Sequence, residues 1–485
     1  MTKKTTMALC LGLSLNFAFG AVLPQEGQGP LFRSTDKQLE ETFNWACNMA
    51  MSYAHDGNDP VGYWYEAALP QREAFCMRDV CHQSVGAQIL GLARHNKNML
   101  THFVENISEE KDWCTYWEIN RYNQPAPIDY KNDNEFWYNL CANPDVVQAC
   151  LKMYEWTGDK DYLEDTRFTN FYDKSLDEYI TRWQLSPEEI MSRPRFMNLP
   201  ENFDPNYNFH ACRGIASYVE NFHGLSVGVD LIASLYAGYT AHARMALMNG
   251  QKKTARKDIV TAEASRALLD TQWWDAAHNR YQTFWTEEHK FYRGEGIPFL
   301  LWFGAVSRPE RIRASVEDIL QKEWNVENLS AFPALLYRFV YLSDAYRILV
   351  SLPHVDRCEY PEVSFGVIEG IVCGSAGILP SASESSIGTC YRLADKGQDI
   401  EVGRLPVFDG HITLRHSGAA KSRLENHTGR KITWKAAFPG AYSKVKAGKK
   451  TYKTIQTEDA KGNVTSTASI PLENGDSLTA EALKI

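Results

Sequence analysis

Carboxylates, arginines and aromatic residues recur in this chain in short clusters, each set just before or at the start of an apolar, helix-forming run. Arg72, Arg78, Asp79 and His82 surround the opening of "MRDVCHQSVGAQILGLA". Asp133, Glu135 and Trp137 stand at a second run, and His210, Arg213, Tyr218, Glu220, Asn221 and His223 lead into a third. Arg293 with Glu295, Glu327 with Asn328, and Glu359, Tyr360 and Glu362 mark three more. A protonated carboxyl can donate to a leaving oxygen and an ionised one can take a proton from water, so carboxylates in pairs suit general acid–base catalysis. Acids favour helix N-termini in any case, because the helix dipole is positive there, so one cluster carries little. Six of them, rich in Trp, Tyr and carboxylate, point to one shared site.

Hydrophobic periodicity predicts the elements that must position these clusters. It places helices at 34–53, 79–94, 96–108, 136–156, 160–183, 225–249, 251–271, 295–305, 308–322, 329–340, 342–352 and 362–376. Long links precede the second, fourth, sixth and eighth, whereas several other links are only a few residues, and short links make antiparallel neighbours. The even-numbered helices are rich in small and apolar residues, as in "SVGVDLIASLYAGYTAHARMALM", and the odd ones carry charge on one face, as in "TARKDIVTAEASRALLD". Even helices are therefore expected inside and odd ones outside. Beyond Pro380 the pattern turns to short alternating runs such as "RKITWKAAF", which predict a β-sandwich of about six to eight strands.

The chain of 485 residues is 44% hydrophobic and 23% charged, enough to bury a large core. Its first twenty residues put Lys3 and Lys4 ahead of an apolar stretch with Ala18 and Gly20 behind, the pattern of a cleaved secretory signal, which predicts a periplasmic or secreted protein. Removing that segment takes away two lysines and no acid, moving the net charge from −9 to −11 and the cysteine count from 11 to 10. An acidic chain is a poor match for nucleic acid, and no later stretch is apolar for the roughly twenty residues a membrane span needs. Cys76 and Cys81 are spaced for a local disulfide, while Cys47, Cys150 and Cys373 lie in apolar runs that suit buried thiols. Neither paired CxxC spacing nor HExxH occurs, so no metal ligand set and no cofactor is expected. Oligomeric state is not legible; a dimer is one option.

The strings "AFCMRDVCHQ", "NDNEFWYNL", "YEWTGD", "WNVENLSAFPALLYRF" and above all "EYPEVSFGVIEGIVCGSAGILP" resemble the six-hairpin glycosidases, and among them secreted bacterial enzymes of glycoside hydrolase family 154. The resemblance covers most of residues 60 to 400. It implies an (α/α)6 barrel over residues 21–380 after a signal at 1–20, with the β-sandwich at 381–485 as an accessory domain. It implies an exo-acting, β-glucuronidase-like hydrolase that releases a terminal uronic acid from plant or host oligosaccharides. The substrate funnel would open where the loops enter the inner helices, which puts the six clusters on its rim. Opposed carboxylates would then be Asp79 with Glu295, Glu135 with Glu327, and Glu220 with Glu362. The resemblance favours Glu220 as acid and Glu362 as base, with Asp79 close behind. Arg72, Arg78, Arg213 and Arg293 are candidates to grip a uronate carboxylate. His82, Asp133, Glu135, Trp137, His210, Tyr218, Glu295 and Glu327 would be further sugar contacts.

Three other readings stay open. Gly224, Ser226 and Gly228 match GxSxG, a nucleophile elbow that requires a preceding strand and an alternating strand–helix chain. A uronate polysaccharide lyase could use His210, Arg213 and Tyr218 for proton abstraction. A glycan-binding protein without catalysis would need no rim so rich in carboxylates.

Overall fold

The computed structural model describes residues 29–194, 213–219 and 224–483. The helical part follows the predicted order, with the fourth helix starting later and the eighth and twelfth shorter than the periodicity placed them. Its principal helices are α1 (Lys37–Ser52), α2 (Met77–Ile89), α3 (Ala93–Glu105), α4 (Ala142–Thr157), α5 (Thr166–Leu176), α6 (Val229–Met248), α7 (Lys252–Leu268), α8 (Ile297–Trp302), α9 (Pro309–Leu320), α10 (Val326–Arg338), α11 (Leu342–Ser351) and α12 (Pro361–Glu369). Two short helices, Asp161–Glu164 and Glu178–Trp183, flank α5, so the predicted fifth helix is broken into three pieces.

Even-numbered helices pack side against side in the order α2, α4, α6, α8, α10, α12, and α12 returns to α2. The odd helices lie against them: α3 on α2, α7 on α6, α9 on α8, α11 on α10 and α1 on α12. Burial follows this split. In α2, eleven of thirteen residues are buried, whereas α7 buries only Ala255, Asp258, Ala262, Ser265 and Leu268. Glycine sets how closely the ring helices approach. A Cβ on Gly86 of α2 would lie 2.3 Å from the Phe365 carbonyl oxygen of α12, and one on Gly366 of α12 would lie 2.3 Å from the Ser330 carbonyl oxygen of α10. Any side chain at either position would force the ring apart.

The β-part is larger than predicted. One sheet has seven strands, in the order Leu31–Ser34, Asp399–Val407, Gly410–Ser417, Lys421–His427, Ser477–Leu483, Lys444–Ala447 and Lys450–Lys453. The other has five, in the order Leu379–Ser381, Ser386–Cys390, Ile432–Pro439, Val464–Leu472 and Ile455–Glu458. Alternation along Ile432–Pro439, with Ile432, Trp434, Ala436 and Phe438 buried, gives the apolar inner face of a sandwich. The strand Leu31–Ser34 comes from the N-terminal side and pairs antiparallel with Asp399–Val407, tying the start of the helical part to the sheets.

Cys76 and Cys81 are separate free thiols, as are the other seven cysteines among the described residues, so the expected local bridge is absent. Both are buried, which pushes their thiols well above the ordinary range. Among the described residues no helix is long and apolar enough to cross a membrane.

Candidate functional site

The N-terminal ends of the ring helices converge on a pocket of about 210 Å³. Arg78 and His82, four residues apart on α2, reach it from one side and Glu362 of α12 from beside them. Glu295, Phe299 and Trp302 come from the α8 side, Glu327 and Asn328 from α10, and Tyr218 and Val219 from the segment ahead of α6.

Each side chain is held there by local structure. The strand Ala74–Cys76 pairs with Glu118–Asn120 and feeds directly into α2, so Arg78 and Asp79 fall in its first turn. Asp79 does not cap the helix: its oxygens accept from Arg78 Nε at 3.2 Å and from the Tyr360 hydroxyl at 2.9 Å. Tyr360 is the N-cap residue of α12, and Pro361 begins that helix, which places Glu362 in its first turn. The segment around Tyr218 is drawn in by Asp230 of α6, which accepts from the Ser217 hydroxyl at 2.9 Å and from the Tyr218 amide.

At the base of the pocket His82 lies between two acids. Its Nδ1 is 3.3 Å from Glu362 Oε1 and its Nε2 is 3.5 Å from Asp145 Oδ2. Asp145 also accepts from the Tyr218 hydroxyl at 3.0 Å. Burial alone would strip the imidazole of its proton, but the hydrogen bonds and charges of Asp145 and Glu362 together outweigh it and lift His82 to about 9. It is therefore an imidazolium at neutral pH. Asp79 behaves in the opposite sense for an acid. Burial first, and the Glu362 charge second, push it up to about 7 in spite of Arg78, Tyr360 and His82. Here stand a buried carboxyl whose pKa is raised to about 7 and, beside it, a second acid paired with a cationic imidazole. That asymmetry is what acid–base chemistry needs.

The pocket gathers Arg78, His82, Tyr218, Glu295, Glu327 and Glu362 from the predicted residues, with Asp79 directly behind. Others are engaged elsewhere. Arg72 pairs with Glu118 at 2.8 Å, and Arg293 pairs with Asp318 at 2.5 Å. Arg213 pairs with Asp112 at 2.8 Å and donates to the Asp133 carbonyl oxygen at 2.6 Å. The Asp133 carboxylate accepts from the Tyr130 hydroxyl at 2.8 Å, Glu135 pairs with Lys131 at 2.7 Å, and Trp137 is core. Of the opposed pairs, Glu135 with Glu327 is not assembled at the pocket; Glu327 pairs with Arg357 at 2.9 Å instead. Glu220 and His210 lie outside the described residues.

Asp145, Phe299 and Trp302 were not anticipated. The fourth helix starts at Ala142, because Glu135–Phe136 and Tyr138–Asn139 form short strands, so its true first-turn acid is Asp145 rather than Glu135. The signal was present in "CANPDVV", an acid one residue after a helix-opening proline. Ser226 does sit on a short strand, Leu225–Gly228, ahead of a helix, but that strand belongs to a small antiparallel sheet and Ser226 is buried, so the elbow geometry is missing. Of the lyase set, only Tyr218 among the described residues reaches the pocket.

No protein-family model matches the chain, and no curated protein does. Solved structures do match in fold. An α-L-rhamnosidase from Dictyoglumus thermophilum is 12% identical over 94% of this chain and 50% of its own, with a TM-score of 0.62. A kojibiose phosphorylase from the human microbiome, described as putative, is 10% identical over 92% of this chain and 63% of its own, with a TM-score of 0.54. A sialidase is 14% identical over 81% of this chain and 40% of its own, with a TM-score of 0.56. The chain thus spans about half the length of the first of these. At such identity the likeness is one of fold: a helical, (α/α)6-type architecture joined to β-sheets.

Proposed function

We propose that the chain is an exo-acting glycoside hydrolase with an (α/α)6 barrel, releasing a terminal uronic acid in the manner of a β-glucuronidase of family 154. The observation that carries the reading is the row Asp145–His82–Glu362 at the base of a pocket lined from α2, α8, α10, α12 and the segment ahead of α6, with Asp79, raised to about 7, beside it. A pocket of about 210 Å³ has room for a sugar unit. Phe299 and Trp302 offer apolar faces on which a sugar ring can stack.

Glu362 is the proposed base. Glu220 is the proposed acid, supported by its chain neighbours Tyr218 and Val219, which line the pocket. Asp79 is the second candidate for the acid, favoured by its raised pKa. All four arginines considered for the uronate are paired with carboxylates; Arg72, Arg213 and Arg293 are so held away from the pocket, while Arg78, bonded to Asp79, is the one that lines it. The cationic His82 adds to its field. Comparing kcat/KM for 4-nitrophenyl β-D-glucuronide with that for the matching glucoside tests the reading. Preference for the uronide supports it, and preference for the glucoside removes the uronate while leaving the hydrolase.

A further inference from the structure

The opposite end of the helix ring holds a second and larger cavity, about 610 Å³, between the C-terminal ends of the ring helices and the five-stranded sheet. It exists because α8 is only six residues long, against sixteen in α4 and twenty in α6, so the ring wall stops short on that side. Trp302, which ends α8, and Leu335 of α10 line both cavities.

The walls combine apolar surface with unbalanced positive charge. Leu151, Trp156, Phe303 and Leu335 supply the first, and Leu379, 67% exposed, lies at the edge. Arg244 and Lys435 are neutralised by Glu155 and Glu384. Lys152, Arg338 and Arg392 have no carboxylate partner within ion-pair distance among the described residues, and Glu369 is the one remaining acid in the lining. Helix C-termini attract cations without any ligand. That accounts for Arg338, which donates to the Leu301 and Trp302 carbonyls, and for Arg392, which donates to the Cys373 carbonyl at 3.2 Å. It does not account for Lys152. Its ammonium lies 4.6 Å from the Trp302 ring centre and makes no hydrogen bond or ion pair among the described residues. Arg338 is deep enough for desolvation to lower its pKa, yet its side chain stays accessible, as a group facing an internal space must.

We infer that this cavity is a second ligand site, built for an organic anion with an apolar body, whose acidic group meets Lys152, Arg338 and Arg392. The volume lies in the range of small-molecule sites, and a few placed charges in a largely apolar wall are their usual chemistry.

Fluorescence titration of the full chain with 8-anilinonaphthalene-1-sulfonate tests this, with uncharged N-phenyl-1-naphthylamine as the charge control. The expected result is one saturable site that binds the anion at least tenfold more tightly than the neutral amine. Lys152→Met is expected to weaken the anion at least tenfold. Thr240→Trp, which fills the cavity from α6, should abolish binding, and Glu362→Gln at the other pocket should leave it unchanged. Equal affinity for anion and amine, binding unaltered in both Lys152→Met and Thr240→Trp, absence of saturable binding, or loss of binding in Glu362→Gln would each overturn the assignment.

Discussion

The two ends of the same six helices differ in the balance of their charges. At the N-terminal end Asp79, Asp145, Glu295, Glu327 and Glu362 outnumber Arg78 and His82; at the other end Lys152, Arg244, Arg338, Arg392 and Lys435 outnumber Glu155, Glu369 and Glu384. Helix dipoles favour this polarity whatever the protein does, acids where the field is positive and cations where it is negative. The polarity alone is thus no sign of function. What distinguishes the N-terminal end is how its charges are arranged. Asp79 is buried beside a second acid and keeps its proton to about 7, while His82 is buried between two acids and keeps its own to about 9. Dipole complementarity needs neither. At the C-terminal end only Lys152 is placed in a way the dipole leaves unexplained.

The largest expected effect separates the two ends directly. Glu362→Gln keeps the shape of the side chain but cannot act as a base, and it should lower kcat on a glucuronide by about 10²- to 10⁴-fold with the fold intact by circular dichroism. Glu220→Gln should do the same if Glu220 is the acid; if instead turnover survives there and collapses in Asp79→Asn, the acid is Asp79. Next in size is Arg78. Replacing it by Ala should cost about 1.5–3 kcal/mol in kcat/KM against the uronide, and much less against the glucoside, which lacks the carboxylate.

Effects of pH should be smaller and have a definite sign. If Asp79 is the proton donor, activity is present while it is protonated and falls as pH rises through about 7, and Asp79→Asn removes that limb. His82 contributes to stability in the other direction. Its folded pKa, about 9, lies above the ordinary 6.5, so its contribution is complete below pH 6.5 and is lost as pH climbs towards 9. A urea midpoint that drops across that window in the wild type but stays flatter in His82→Gln would sharpen the assignment; equal slopes would remove it. The smallest effect is an expected absence of change: exhaustive chelation should leave turnover intact, and its restoration by one divalent ion would show a metal role.

Much of this architecture was legible in the sequence, because helix periodicity is local. The even-numbered helices declare themselves by small and apolar residues, and Gly86 and Gly366 show why: they let backbone approach backbone. The site was legible in part. Arg78, Asp79 and Glu362 were found because they sit at helix starts the periodicity placed within two residues. Asp145 was missed because residues 135–139 form short strands and the fourth helix begins later than its apolar pattern suggests. The link from Tyr360 to Asp79 spans 281 residues, and nothing local encodes it. The same holds for the four-residue strand Leu31–Ser34, whose partner Asp399–Val407 lies at the far end of the chain.

The most direct test is product analysis by NMR after digestion of oligosaccharides capped with a β-linked glucuronic acid, beside the same oligosaccharides capped with glucose. The account predicts release of saturated, free glucuronic acid from the non-reducing end, one residue at a time, and little from the neutral set. An unsaturated uronate with its ultraviolet absorbance would mean elimination rather than hydrolysis, and intact oligosaccharides throughout both sets would contradict catalysis at this pocket.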